Sequence, residues 1–254
     1  MHTPVSPITL VTGGSRGLGR AAAIHLARAG HDLVLTYRSK AEEAEAVAAE
    51  VRALGRQVAV LPLDVADSDS FPAFAAQVGA VLAGWGRERF DNLVNNAGVG
   101  LVVPFAETTG EQLDAMYRIH FKGPYLLAQA LLPLIADGGN ILNVSSGLAR
   151  FVFPGYSAYA AMKGAVEVLT RFQAAELGER RIRVNTLAPG AIETDFGGGR
   201  LREDRELNAA VAAGTALGRT GQADDIGGAA VALLSPQTGW INAQRIEAAG
   251  GFRI

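Results

Sequence analysis

The stretch YSAYAAMKGA, residues 156–165, sets two tyrosines and a lysine among small side chains. Residues four apart share one face of a helix, so Tyr159 lies beside Lys163, whereas Tyr156 has Ala160 at that spacing. A phenol titrates near ~10 in water, and a neighbouring ammonium favours its ionised form, which would let Tyr159 give and take a proton close to neutrality. The same spacing also suits an ordinary packed ring beside a solvated charge. The pair therefore gains chemical meaning only from the elements that position it.

Those elements alternate from the start. Short β-branched runs are followed by Ala-rich helical stretches: ITLVTGG then RGLGRAAAIHLARAG, DLVLTY then KAEEAEAVAAEVRALG, QVAVLPLDV then SFPAFAAQVGAVLAGWG. The order continues with DNLVNNAG, one long helix through EQLDAMYRIHFKGPYLLAQALLPLI, the strand NILNVSS, a helix from Tyr156 to Leu177, the strand IRVNTLAPG, the helix ADDIGGAAVALLS and a last strand in QRIEAAG. Repeated βα units predict an α/β fold of the doubly wound Rossmann type, with a mainly parallel seven-stranded sheet and helices on both faces. No linker, charge run or tandem repeat interrupts the chain, so residues 1–254 read as one dinucleotide-binding and catalytic domain. The stretch 190–215, rich in glycine, reads as irregular and mobile near the strand ends, where open sheets place ligands.

The first βα turn, VTGGSRGLGR, offers Thr12, Gly13, Ser15, Arg16, Gly17, Leu18 and Gly19 to a dinucleotide. Glycines let the backbone turn tightly and approach a pyrophosphate, and the helix that follows presents free N–H groups and a partial positive charge. The second strand ends in Tyr37, Arg38 and Ser39, with no acid until Glu42. An acid there would hold the ribose 2′-hydroxyl of NAD, whereas Arg38 with Arg16 across the turn suits the phosphate of NADP, so NADPH is expected over NADH. After the third strand, Asp64 is placed to accept from the adenine amino group with Val65 beside it, or else to cap the helix beginning near Ser68.

Composition narrows the alternatives. The 254 residues are 49% hydrophobic and 19% charged with a net charge of −2, which leaves no basic footprint for nucleic acid or an anionic membrane. The absence of cysteine excludes disulfides, thiol catalysis and cysteine metal sites. Histidines at 2, 25, 31 and 120 lack the spacing of helical metal ligands, so no metal is expected. The opening MHTPVSPITL has no basic region followed by an apolar run, and no later stretch is long and apolar enough for a bilayer, which leads to the expectation of a cytoplasmic protein.

Taken together, the glycine turn, NNAG and YSAYAAMK resemble the short-chain dehydrogenase/reductase family over nearly the whole chain, most of all members of the 3-oxoacyl-carrier-protein reductase type. Thr12, Gly13, Gly17 and Gly19 meet that family's Thr-Gly-x-x-x-Gly-x-Gly, and Tyr159 and Lys163 its Tyr-x-x-x-Lys. The resemblance implies that Asn95 steadies the sheet centre and that Asn96, Ala97 and Gly98 line the adenosine ribose. It also implies that Ser146, thirteen residues before Tyr159, is the catalytic serine in preference to Ser145. The segment from Pro189 and Gly190 would hold the carboxamide through Ile192 and Thr194. In this scheme Tyr159 is the proton donor, Ser146 orients the carbonyl oxygen, and Lys163 lowers the phenol pKa and holds the nicotinamide ribose. One position departs: where the family usually has Asn as a proton relay, at a helix irregularity, this chain has His120. His120 either partners the relay water or simply packs in the helix.

Phe105, Leu148, Phe151, Phe153, Tyr156 and Phe196 give the expected pocket an apolar lining, which suits an uncharged ketone or 3-oxoacyl compound as the small-molecule partner. Arg180 and Arg181 are the cations available to a carrier protein, while Asp137 stands where another would help. The resemblance implies a homotetramer built through the helices that hold His120 and Tyr159. The rival reading is a dinucleotide-binding regulator that has lost turnover, with His120 as its one supporting feature.

Overall fold

The computed structural model describes residues 6–254; His2 and the beginning of the N-terminal stretch lie outside them. Strands β1 (Ile8–Val11), β2 (Asp32–Tyr37), β3 (Val58–Pro62), β4 (Phe90–Asn95), β5 (Ile135–Val144), β6 (Arg183–Pro189) and β7 (Arg245–Ala248) form one sheet in the order β3-β2-β1-β4-β5-β6-β7, parallel throughout. β1 is apolar or threonine at every position and wholly buried, as a strand covered on both faces requires. The order reverses between β1 and β4, and at such a switch point the helices diverge to opposite faces and open a crevice beyond the strand C-termini.

Helices α1 (Gly17–Arg28), α2 (Ala41–Ala53) and α3 (Phe71–Gly84) follow the first three strands, and α9 (Ala223–Leu234) precedes β7. α1 and α9 approach until a Cβ on Gly227 would lie 2.8 Å from the Ala21 carbonyl oxygen, which explains the small residues on both. The core divides between the two faces of the sheet. Ile8, Leu10, Phe71, Phe90 and Leu131 lie in one cluster, and Val11, Leu26, Leu33, Leu35 and Leu187 in the other.

Three expectations change in detail. The long fourth helix is α4 (Gly110–Tyr117) and α5 (Gly123–Leu131), separated by a π-helical turn at Arg118–Lys122. Pro124 has no N–H to offer the His120 carbonyl four residues earlier, and its ring crowds that oxygen, so the turn widens there. β5 starts five residues earlier than NILNVSS, because Ile135 pairs with Phe90 before the register shifts at Asn92 and Asn140. Gly138, at φ +80°, lies in the intervening stretch. The stretch 190–215 contains the short helix α7 (Arg200–Glu203) and α8 (Arg205–Ala213), the latter capped by Asp204, whose side chain accepts from the Glu206 and Leu207 N–H groups.

Candidate active site

The glycine turn leaves β1 at the switch point. Its shape is held by Thr12, whose hydroxyl accepts from the Asn96 and Ala97 N–H groups at 2.9 and 3.0 Å, and by Asn96, whose amide donates to the Thr12 carbonyl at 2.9 Å. The Gly13 N–H donates to the Thr36 hydroxyl at the end of β2. Gly13 and Gly17 take φ of +68° and +53°, where a side chain is strained, and a Cβ on Gly19 would stand 2.1 Å from the Gly13 oxygen. A floor of bare backbone at a helix N-terminus is what a pyrophosphate needs, so the turn fits a dinucleotide. Across the crevice lies the segment after β6: the Thr194 side chain is 3.9 Å from where a Gly17 Cβ would be. Ser15 and Leu18 are partly buried in the turn, and Tyr37 at the end of β2. Arg16, Arg38 and Ser39 are exposed, and among the described residues neither arginine forms an ion pair. Asp64 is exposed and accepts from the Ala66 N–H, and Val65 is buried with its backbone against Gly123.

The expected catalytic residues meet at the C-terminal end of β5. Ser146 follows β5 in extended conformation, and its hydroxyl accepts from the Leu148 N–H at the start of a short 3₁₀ turn. Tyr159 and Lys163 lie on α6 (Ser157–Glu176), both 5% exposed, with the ammonium 5.6 Å from the phenol ring centre. The Lys163 Nζ donates to the Val144 carbonyl at 2.7 Å, and burial pushes its pKa down to about 8. Burial also raises the Tyr159 phenol above its ordinary value, opposed by the Ser146 hydroxyl and reinforced by Tyr156. The lowering expected from Lys163 is not found, because the ammonium is directed at a carbonyl and the phenol is cut off from water.

His120 sits on the π turn, 1% exposed. Its Nε2–H donates to the Val99 carbonyl at 2.8 Å, which fixes the tautomer, and Nδ1 finds no hydrogen-bond partner among the described residues. Burial first and Lys163 second push its pKa down to about 3, while the bond to Val99 works the other way. The imidazole is therefore neutral at any ordinary pH. Gly98 leaves room for it, since a Cβ there would lie 2.7 Å from His120 Cε1. Asn95 donates to the Asn143 side chain at 2.9 Å, and Asn143 in turn bonds Thr170 on α6, so the strand centre and the helix that carries Tyr159 and Lys163 are joined by buried amides.

Around this centre Phe196 stands 5.6 Å from the Tyr159 ring, and Leu148 and Tyr156 pack in the same apolar cluster. Phe151 and Phe153 instead pack on Phe252, and Phe105 is 84% exposed, so these three line the rim at most. Pro189 is buried, and Gly190 abuts Ala249 so closely that a Cβ would lie 2.7 Å from it. Ile192 bridges to Gly221. Between Ile192 and Thr194, Glu193 accepts from Asn208 of α8 at 2.7 Å and from the Thr220 hydroxyl. Bonds from Thr220, Asn208 and Gln222 hold its carboxyl below the usual range. Nothing in the local sequence marks Glu193 or Val99, because their partners are remote in the chain.

Comparison with known proteins agrees with this geometry. Residues 13–253 match the family model described as enoyl-(acyl carrier protein) reductase. The chain belongs to the short-chain dehydrogenase/reductase family. It is 33% identical to an uncharacterized oxidoreductase of Methylorubrum extorquens over 97% of both chains, and 31% identical to a hydroxynaphthalene reductase of Aspergillus fumigatus over 96% of this chain and 91% of that one. Among solved structures, the reductase LugOII, described as promiscuous and catalysing keto-reduction at C1 during lugdunomycin biosynthesis, superposes with a TM-score of 0.93 at 32% identity, covering 99% of this chain and all of the other. A short-chain dehydrogenase of Burkholderia cenocepacia, in complex with NADP, gives 0.88 at 33% identity over 96% and 97%. The protein is accordingly an NAD(P)-dependent short-chain oxidoreductase of small molecules, with a Rossmann-type fold. Among the described residues, no helix is long and apolar enough to cross a membrane.

Proposed function

We propose that the protein is an NADPH-dependent reductase of an uncharged ketone or 3-oxoacyl compound, running in either direction as the supply of alcohol and carbonyl dictates. The observation that carries this reading is the meeting of Ser146, Tyr159 and Lys163 beneath an apolar mouth, beside a backbone cradle for a dinucleotide. When bound, the nicotinamide supplies the hydride. The chain supplies proton and orientation: the Tyr159 hydroxyl gives its proton to the carbonyl oxygen, and the Ser146 hydroxyl donates to the same oxygen and steadies the charge that grows there. Burial keeps the phenol protonated before turnover, so Tyr159 begins as an acid, and the adjacent cation eases its passage through the ionised state. Thr12, Gly13 and Gly19 would shape the pyrophosphate cradle, Arg16 and Arg38 would face the 2′-phosphate, and Ile192 and Thr194 the carboxamide.

Several observations support the finer points. The exposure of Arg16 and Arg38 without ion-pair partners among the described residues, together with the NADP in the Burkholderia relative, supports NADP over NAD. The apolar cluster at Tyr159, and relatives described as reducing a hydroxynaphthalene or a ketone, support an uncharged and bulky carbonyl. Presentation by a carrier protein is not favoured, because Arg180 is taken up by Asp137 at 2.8 Å and by the Leu132 and Ile135 carbonyls. Exposed Leu113, Tyr117 and Tyr125 on α4 and α5 and Val168 and Phe172 on α6 support association through those helices, as in a homotetramer. We read residues 1–254 as one catalytic domain of the cytoplasm, with 190–215 moving over the substrate about the three left-handed glycines Gly197, Gly198 and Gly199.

The test is a panel of cyclohexanone, ethyl acetoacetate, 1-tetralone and 2-tetralone with NADPH and with NADH, followed at the nicotinamide absorbance. Oxidation of NADPH by one or more of the ketones is expected. Binding of NADPH without turnover of any, in either direction, would favour the retired regulator instead.

A further inference from the structure

The loop that carries Ser146 is held at both ends by one guanidinium, that of Arg245 on the edge strand β7. At its near end, the Ser145 hydroxyl donates to Glu167 Oε1 at 2.7 Å, with the Lys163 carbonyl 3.3 Å away, and the Arg245 Nε donates to the same Glu167 oxygen at 2.8 Å. At its far end, Arg150 forks onto Glu247 at 3.0 and 2.7 Å, and Arg245 Nη1 donates to Glu247 Oε2 at 2.7 Å. Ser145, Glu167, Arg245, Glu247 and Arg150 thus form an unbroken chain of alternating donors and acceptors around residues 145–150. Arg245 Nη2 also lies 3.5 Å from the Ser146 carbonyl.

The middle of the chain is sheltered from water, with Arg245, Glu247 and Glu167 side chains 24%, 18% and 15% exposed, while Arg150 at its far end is 49% exposed. Burial alone would raise the Glu247 carboxyl, and Arg150 and Arg245 together hold it below its usual range. Arg150 is further steadied by lying 4.2 Å from the Phe151 ring centre. Removing the Arg245 cation would leave the Glu167 carboxylate without a cation among the described residues and the Glu247 carboxylate with Arg150 alone, so the near end of the loop would lose its anchor and the far end would be weakened. None of these side chains reaches the phenol, and what they fix is the backbone from which the Ser146 hydroxyl projects.

We propose that Arg245 is a positioning residue for Ser146, acting through Glu167 on one side of the loop and through Glu247 and Arg150 on the other. A hydrogen-bond donor that must meet a growing oxyanion is effective only if its place is set beforehand, and a short loop after a strand end does not set it unaided. The assignment of the loop to catalysis rests on the carbonyl reduction proposed above, whereas the grip itself does not.

Hydrogen–deuterium exchange on the full chain reads the grip without any substrate. In Arg245→Met and in the isosteric Glu247→Gln, amides of residues 145–151 should exchange about tenfold faster than in the wild type while β1 and β2 keep their protection, with Arg245→Lys in between. If Arg245→Met does not fold, Glu247→Gln and Arg245→Lys carry the same comparison. The second arm uses the ketone of the panel that the wild type reduces fastest: Arg245→Met should lower kcat about tenfold with KM and NADPH affinity within about twofold, and should change kcat less than about twofold in a Ser146→Ala background. Unchanged exchange at 145–151 overturns the grip. Faster exchange with the same kcat loss in both backgrounds overturns the action through Ser146. A wild type that reduces none of the ketones counts against the reductase reading, and exchange alone then decides the grip.

Discussion

The His120 imidazole stands edge-on to the Tyr159 ring, with centroids 5.0 Å apart and planes at 87°. Its Nε2–H is spent on the Val99 carbonyl, so the group faces Tyr159 as a neutral acceptor and not as an acid. With its pKa pushed down to about 3, it has no titration near neutrality to lend to turnover. At the wide turn Arg118–Lys122, Pro124 cannot donate back to residue 120, and if this position serves as a relay the backbone carbonyl would partner its water whatever the side chain. His120→Asn should therefore stay active and lose no limb of its kcat–pH profile, and His120→Ala should lose modestly more. Measuring kcat against pH for all three proteins, with a ketone for which chemistry limits turnover, checks this. Loss of a limb in His120→Asn would make the imidazole a proton carrier.

Tyr159 is the buried phenol and Tyr156 the half-buried one, and only the former has Lys163 over its ring. Tyr159→Phe keeps the ring against His120 and Phe196 but removes the proton donor, so NADPH should still bind while kcat falls by about 10² to 10⁴. Tyr156→Phe should lose little. Retention of near-wild-type kcat by Tyr159→Phe would move the acid elsewhere.

Local chemistry made the shape of the first turn legible. A glycine-rich stretch at a strand–helix junction can be a plain loop, but Gly13 and Gly17 take left-handed φ and Gly19 the close backbone contact that glycine alone accommodates there. The Tyr159–Lys163 pairing was legible for the same reason, because helical periodicity puts them on one face. Pro124 was the available sign of the break in the long fourth helix, but the Ala- and Leu-rich run after it and the helical signals before it masked it. The early start of β5 depends on a register shift against β4, and register between strands is a property of two segments that neither shows alone. The Glu167–Arg245–Glu247 chain joins α6 to the last strand across seventy-eight residues, and charges that far apart in sequence read as solvated until the fold brings them together.

Arg38 follows β2 at the position where an acid would hold a free ribose hydroxyl, and it is exposed without an ion-pair partner among the described residues. NADPH should be preferred over NADH, and Arg38→Ala should lose about 1.5 to 3 kcal/mol of that preference as one charge-assisted contact disappears. The comparison is kcat/KM for both cofactors in wild type and variant. A wild type that favours NADH would remove the basis for assigning Arg38 to a phosphate.

Lys163 makes a prediction about stability that needs no substrate. Burial lowers its pKa from 10.5 to about 8, so the native chain releases a proton that the unfolded chain still holds between those values. Stability rises with pH wherever the unfolded state binds more protons, so the penalty for burying the ammonium is full below about pH 8 and fades towards pH 10.5. Tyr159 acts in the opposite sense, because its raised pKa makes the native chain the better proton holder, but only above the ordinary phenol range near 10. From about pH 7, above the ordinary His120 range, up to that range the lysine effect stands alone at this site. Between about pH 7 and 9.5 the wild type should gain about 2 kcal/mol relative to Lys163→Met, which has no proton to release and keeps much of the buried stem. Urea unfolding of both full-length proteins without cofactor, at the two pH values, gives that difference directly, and titrations elsewhere in the chain cancel in the comparison. Equal shifts in the two proteins would mean that the Val144 carbonyl holds Lys163 protonated well above pH 8, and the ammonium would then be available to Tyr159 across the whole working range.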